Sequence, residues 1–374
     1  MSETFGIMIP GAKGAGENIK VVAPWDLSLI AEIPAASADD IESALNTAYS
    51  IFKDRDRWLP IPKRIEVLEK TAELMQQQAE TLALEAAREG GKPLIDSRVE
   101  VARAIDGVKN CIEVLRTESG REIPMGLNAA SQNRLAFTRK EPIGVVVAVS
   151  AFNHPLNLIV HQVGPAIAAG CPVIVKPAED TPLSCFRFVQ ILRAAGLPDE
   201  YCQACVTSDH SVAEKLVTDE RVGFFSFIGS GRVGWMLRSK LAPGVRCALE
   251  HGGVAPVIID ATADLDDTLP LIAKGGFYHA GQVCVSVQRV FAPKQIAKDI
   301  AQRLAQFAQA MQIGDPTLEA TEVGPLIRPR EVERISSWVD KAVNDGAMKI
   351  CGGNTVTETS YECTVLRSHP LKLK

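Results

Sequence analysis

The chain has 374 residues, 46% of them apolar, 23% charged and 5% aromatic, which at about 150 residues per domain gives two domains or a little more and excludes a lone small module. A chain of this size buries roughly three quarters of its unfolded surface, so its core needs no disulfide or metal staple, and disorder is excluded as the main state. Its 40 basic against 45 acidic side chains give a formal net charge of −5 without a long one-sign block; nucleic acid is therefore not an expected partner, because phosphate binding leans on a basic patch.

From Asp39 to Gly120 apolar residues recur at spacings of three and four, predicting helices through DDIESALNTAYSIFKD, PKRIEVLEKTAELMQQQAETLALEAAREGG and SRVEVARAIDGVKNCIEVLRTESG, with Gly90-Gly91 as a stop. The polar stretch from Arg121 to Pro142 reads as a projecting hairpin. Beyond it, strand-like GVVVAVSAF, CPVIVKPA, YCQACVT and VGFFSFIGS alternate with helical NLIVHQVGPAIAAG, PLSCFRFVQILRAAG and VAEKLVTD. Such alternation specifies a doubly wound α/β domain, a parallel sheet covered on both faces. A second series, LEHGG, APVIID, a helix from Asp264 to His279, QRVFAP, and helices near 294–312 and 329–345, repeats the alternation after about residue 250.

Nine cysteines, an odd number scattered through mostly apolar stretches, read as reduced thiols. The pair in Cys202-Gln203-Ala204-Cys205 lacks a second pair, and its members fall on opposite faces of a strand, which points to core and away from zinc. His154, His161 and His279 are not spaced as a metal set. The N-terminus lacks a basic start followed by an apolar core, and no apolar run reaches the roughly 18 residues of a membrane span. The expected location is the cytoplasm, with no membrane partner.

Five segments carry candidate chemistry. Gly229-Ser230-Gly231-Arg232-Val233-Gly234 matches G-x-G-x-x-G after a strand and before a helix, the context of a dinucleotide-binding turn or of a tight turn with no ligand. Lys176 and Glu179 stand three apart at a strand's C-terminal end, placed to contact sugar hydroxyls or simply solvated. Cys284, in a loop of small residues after a helix, is a nucleophile or one more inert thiol. Glu250, about 20 residues past the glycine turn, reads by spacing as a ribose ligand; at the end of an apolar strand beside two glycines it equally reads as an acid/base group or a wet strand end. Asn153 follows another strand, where its amide can donate to an oxyanion or cap the next helix.

In order, AFNHP at 151–155, KPAEDTP at 176–182, FIGSGRVG at 227–234, LEHGG at 249–253 and GQVC at 281–284, with the lesser GDP at 314–316 and GPLI at 324–327, resemble the NAD(P)-dependent aldehyde dehydrogenase superfamily. The resemblance implies a Rossmann-type NAD-binding domain over residues 1–249, whose hairpin at about 121–142 mediates homo-oligomer assembly, and a catalytic α/β domain over 250–374. It implies Cys284 as nucleophile, Asn153 as oxyanion donor with the Cys284 N–H, and Glu250 as the base that activates the hydrolytic water, which overrules the ribose assignment and disfavours a coenzyme-A-acylating member. Lys176 and Glu179 match the adenosine-ribose positions, and Gly229 and Ser230 the pyrophosphate turn. A carboxylate at 179 favours NAD over NADP by repelling a 2′-phosphate. The resemblance implies a small-molecule aldehyde as substrate, entering past His154, Leu158, Tyr278 and Val283.

Family members also carry an E-x-F-G-P segment, whose Glu grips the nicotinamide ribose, and a C-terminal strand that pairs with a partner. Neither is found here, and the tail RSHPLKLK resembles nothing expected. The chain is therefore expected to be C-terminally truncated, its catalytic domain incomplete. The alternative readings are an impaired homologue that retains at most nucleotide binding and, more remotely, a thiol esterase that uses Cys284 and Glu250.

Overall fold

The structure is a computed structural model and describes residues 3–367; the part of the RSHPLKLK tail from Ser368 onward lies outside the described residues. A small sheet of β1 (Glu3–Thr4), β2 (Asn18–Val22) and β3 (Leu29–Pro34) opens the chain. This sheet was not foreseen, because strands of two to six residues carry too little periodicity to stand out. Helices α1 (Ala38–Lys53), α2 (Ile61–Gln77), α3 (Ala79–Gly90) and α4 (Leu94–Thr117) follow, as the apolar spacing predicts. The stretch expected to project carries the antiparallel ribbon of β4 (Glu122–Ile123) and β5 (Ala136–Phe137).

The alternating region folds as β6 (Val145–Val149), α5 (Asn157–Ala169), β7 (Val173–Lys176), α6 (Leu183–Ala194), β8 (Cys202–Ala204), α7 (His210–Thr218), β9 (Val222–Gly229), α8 (Gly231–Arg238) and β10 (Arg246–His251). The five strands form one all-parallel sheet in the order β10-β9-β6-β7-β8. Every residue of β7 and β8 and the first four of β6 are buried, because helices cover both faces. Val146, Val173, Phe186 and Cys202 belong to one core, while Val145, Val147, Phe225 and Cys205 belong to the other. The two cysteines of the C-x-x-C thus lie on opposite faces of the sheet, each as packing.

After β6 the chain builds the sheet outward to β8, then returns to place β9 on the other side of β6. The strand order reverses there, and an open α/β sheet has its ligand crevice at the C-terminal strand ends beside such a reversal. The turns that leave β6, β7 and β9 all open at this end.

The LEHGG segment differs from its expected place. Leu249, Glu250 and His251 extend β10, pairing with Phe227, Ile228 and Gly229, so they close the first sheet instead of opening a second alternation. The later strands make separate pairs: β11 (Pro256–Ile258) lies parallel to β12 (Arg289–Phe291), and β13 (Met348–Cys351) antiparallel to β14 (Val365–Arg367). Helices α9 (Leu265–Phe277), α10 (Ala297–Ala310) and α11 (Pro329–Asn344) accompany them. Among the described residues no helix is long and apolar enough to cross a membrane.

Candidate active site

Cys284 follows α9 through an unusual turn. His279 and Ala280 have φ of 51° and 52°, and Gly281 continues at 70°. Two consecutive non-glycine residues in the left-handed region are a strained arrangement, of a kind concentrated at functional sites. The turn reverses the chain after α9 and delivers Gln282-Val283-Cys284 to the strand ends. The signal was present as His-Ala-Gly before GQVC, but a left-handed histidine and alanine have no sequence signature.

Gln282 fastens this loop. Its Nε2 donates to Pro325 O and His279 O, each at 3.2 Å, and its Oε1 accepts from Ile327 N at 3.0 Å. The GPLI segment is therefore the wall against which the cysteine loop is held. The backbone carbonyl of Gln282 accepts from Asn153 Nδ2 at 2.9 Å, which brings the turn after β6 to the same loop. That bond engages one amide hydrogen of Asn153.

Glu250 stands near the end of β10 and reaches the cysteine. Its carboxylate neighbours the Cys284 side chain, and burial, followed by this neighbouring charge, pushes the thiol up from its ordinary range. The approach depends on Gly253, where a Cβ would stand 2.9 Å from the Cys284 carbonyl oxygen. A side chain at 253 would drive the two segments apart. Glu250 and Asn153, distant in sequence, are thus both brought to the loop that carries Cys284.

The nucleotide side lies on the neighbouring strands. Lys176 ends β7, is buried, and donates from Nζ to Glu179 Oε1 at 2.6 Å. Gly229 ends β9 and Ser230 caps α8, its hydroxyl accepting from Val233 N at 3.5 Å. The first amides of α8 have no partner within the helix, and Gly229 and Gly231 keep the turn bare of side-chain atoms. The α8 amides suit an anionic group such as a pyrophosphate, and the Lys176–Glu179 pair offers a donor and an acceptor to sugar hydroxyls, so these residues could hold a dinucleotide. The ring of His251, 5.4 Å from that of Trp235 and 6.1 Å from that of Phe227, backs this turn, a part that sequence reasoning did not assign.

Behind the site lies a buried polar network that was also not foreseen. Lys92 and Glu100, both fully buried, form an ion pair, and Lys92 Nζ lies 3.0 Å from His154 Nδ1. Burial opposes the charge on Glu100, but Lys92 and the donors around it prevail and hold the carboxyl below its ordinary range. Burial, reinforced by Lys92, drives the His154 imidazole down to about 4, so it is neutral and its Nδ1 accepts from Lys92. His279 is buried and is likewise held neutral.

A thiol, a carboxylate and a side-chain amide gathered at the switch point of a doubly wound parallel sheet, where folds of this class hold dinucleotides, make the arrangement of a nicotinamide-dependent oxidoreductase. Comparison with known proteins agrees. The Aldehyde dehydrogenase family matches residues 12–372. The 3-sulfolactaldehyde dehydrogenase of Priestia aryabhattai is 36% identical over 351 residues, covering 93% of this chain and 72% of that protein. The crystal structure of a NAD-dependent aldehyde dehydrogenase from Sinorhizobium meliloti superposes with a TM-score of 0.93 at 30% identity, covering 100% of this chain and 75% of that one. Glyceraldehyde-3-phosphate dehydrogenase GapN from Methanocaldococcus jannaschii, complexed with NADP, gives 0.88 at 33% identity, covering 94% and 76%.

The chain belongs to the aldehyde dehydrogenase family and is an aldehyde-oxidising enzyme of that fold. The family match runs over nearly the whole sequence. It does not support the expectation of a truncated chain, and an impaired remnant that only binds nucleotide is not favoured.

Proposed function

We propose that the chain oxidises an aldehyde to a carboxylic acid with NAD, through a covalent intermediate on Cys284. The observation that carries this reading is the contact of Glu250 with the Cys284 thiol, beside an Asn153 amide tied to the same loop. With its pKa raised, the thiol rests protonated, and Glu250 is placed to take its proton as sulfur attacks the aldehyde carbon. The carbonyl pair moves to oxygen, and the oxyanion is held by the free Asn153 N–H and the Cys284 backbone N–H. Bound NAD supplies the hydride acceptor for the carbon that becomes a thioester. Glu250, once it has released the thiol proton to solvent, takes a proton from water; the hydroxide adds to the thioester, the C–S bond breaks, and Glu250 returns that proton to the departing sulfur as the acid leaves and Cys284 is restored.

NAD is the preferred cofactor in this reading because Glu179 presents a carboxylate where a 2′-phosphate would lie. The two crystal structures compared above divide on this point, one NAD-dependent and the other complexed with NADP. The exposed apolar side chains of the ribbon, Ile123, Leu127, Leu135 and Phe137, suit burial against a second copy and support a homo-oligomer. The cysteines are free thiols, which suits the cytoplasm. Aldehyde-dependent formation of NADH tests the reaction, and Asn153→Ala is expected to slow it by about 10²–10³. An unchanged rate in that variant would remove the oxyanion role.

A further inference from the structure

Two buried carboxylates outside the reacting groups make the same kind of contact in two places. Helix α5 begins just after the Asn153 turn, and its N-cap, Leu156, offers no side-chain hydrogen bond. Helix α6 begins just after KPAEDTP, and its N-cap, Pro182, offers none either. A buried helix start needs partners for its first amides, and both receive them from elsewhere. Glu100 Oε1 accepts from Leu156 N and Asn157 N, each at 2.9 Å. Glu89 Oε2 accepts from Leu183 N at 2.7 Å, and its Oε1 from Ser184 N at 2.9 Å and from the Ser184 hydroxyl.

The two carboxylates flank one short turn. Gly90 packs beneath both loops: a Cβ there would stand 3.7 Å from Thr181, 3.8 Å from Phe152 O and 4.0 Å from Pro155. Thr181 Oγ1 donates to Phe152 O at 3.2 Å and so ties the loops together above it. Gly91 fits against GPLI, since a Cβ on Gly324 would overlap the Gly91 carbonyl oxygen at 1.8 Å. Lys92 then enters the interior to neutralise Glu100.

We propose that Glu89 and Glu100 are positioning residues with separate tasks: Glu100 sets the Asn153 turn and hence the oxyanion amide, and Glu89 sets the Lys176–Glu179 turn and hence the adenosine ribose. The inference rests on the functional reading above and assigns two residues that touch neither substrate nor cofactor. Glu89 accepts through both of its oxygens, which a glutamine amide cannot do, and Glu100 accepts both amides on Oε1 and faces Lys92 with Oε2, so glutamine there sets its NH2 against the Lys92 ammonium; either exchange perturbs the turn while keeping side-chain volume. Glu100→Gln also strands the Lys92 charge in the interior, which is costly. Lys92→Met/Glu100→Gln removes both charges and provides a folded variant if the single one fails.

The experiment measures kcat for aldehyde oxidation and the Kd of NAD, by quenching of protein fluorescence, on the full chain. For Glu100→Gln, or its neutral pair, kcat is expected to fall at least tenfold while the Kd of NAD holds within twofold. For Glu89→Gln, the Kd of NAD is expected to rise at least fivefold while kcat at saturating NAD holds within twofold. Asn153→Ala/Glu100→Gln is expected to be no slower than Asn153→Ala alone, because one residue acts through the other. Equal losses in both parameters for both variants, or losses that multiply in the double variant, would overturn the proposal. A wild-type chain that binds NAD but oxidises no aldehyde would refute the functional reading instead, and an unchanged Kd in Glu89→Gln would still overturn the assignment of Glu89.

Discussion

Replacing Glu250 by Gln keeps the shape of the side chain and removes the charge beside Cys284. That charge is one of the causes of the raised thiol pKa, after burial. Two unit charges about 4 Å apart interact by about 4 kcal/mol at an effective dielectric of 20 and by about 1 kcal/mol in water. Glu250 is exposed and Cys284 only half-buried, so the aqueous figure governs. Relief of about 1 kcal/mol raises the thiolate fraction roughly fivefold. Alkylation by iodoacetamide at neutral pH, followed by mass spectrometry of the Cys284 peptide, is therefore expected to be about five times faster in Glu250→Gln, although steady-state aldehyde oxidation falls because no base activates water. A rate equal to or below that of the wild type would mean that the carboxylate is not felt at the sulfur, and its role as partner of Cys284 would be withdrawn.

Two further outcomes follow from the same contacts. Glu179→Gln removes the carboxylate that, in the proposed reading, would face a 2′-phosphate, and the ratio of kcat/KM for NAD over NADP is expected to fall by about fivefold or more, by the same coulombic reasoning; an unchanged ratio would place cofactor choice elsewhere. Burial pushes the Glu89 carboxyl up to about 8 against the Ser184 donors, with Glu85 adding to the rise. From the ordinary glutamate value up to about 8, the folded state holds a proton that the unfolded chain has lost, so this group's contribution is complete at acid pH and is lost as pH rises through that window. Urea unfolding of wild type and Glu89→Gln across it is expected to differ in slope by up to about 1.4 kcal/mol per pH unit, and parallel profiles would contradict the assignment.

Much of the sheet was legible because β-branched runs such as VVVAV and VIVK stand between helices with unmistakable periodicity. The five motifs located the turns at the strand ends, while for Glu250 the spacing and the family resemblance pointed to different roles. What stayed hidden has a common physical cause. Glu89, Lys92 and Glu100 look in sequence like the solvated charges of amphipathic helices; they are buried only because each meets a helix start or an opposite charge brought from elsewhere. Gln282 was passed over because its three side-chain contacts are to backbone atoms in its own turn and in a segment some forty residues later. The left-handed His279 and Ala280 are imposed by the loop's anchors, not by their own preferences.

The central claim is that a substrate carbon becomes bonded to Cys284 and is released by Glu250. It is tested most directly by mixing Glu250→Gln with aldehyde and NAD, quenching in acid and mapping the peptides by mass spectrometry. The account expects an acyl adduct on Cys284 together with about one NADH per chain, as expected of a thioester that cannot be hydrolysed. Sustained turnover with Cys284 unmodified, or an adduct confined to one of the other cysteines, would contradict it.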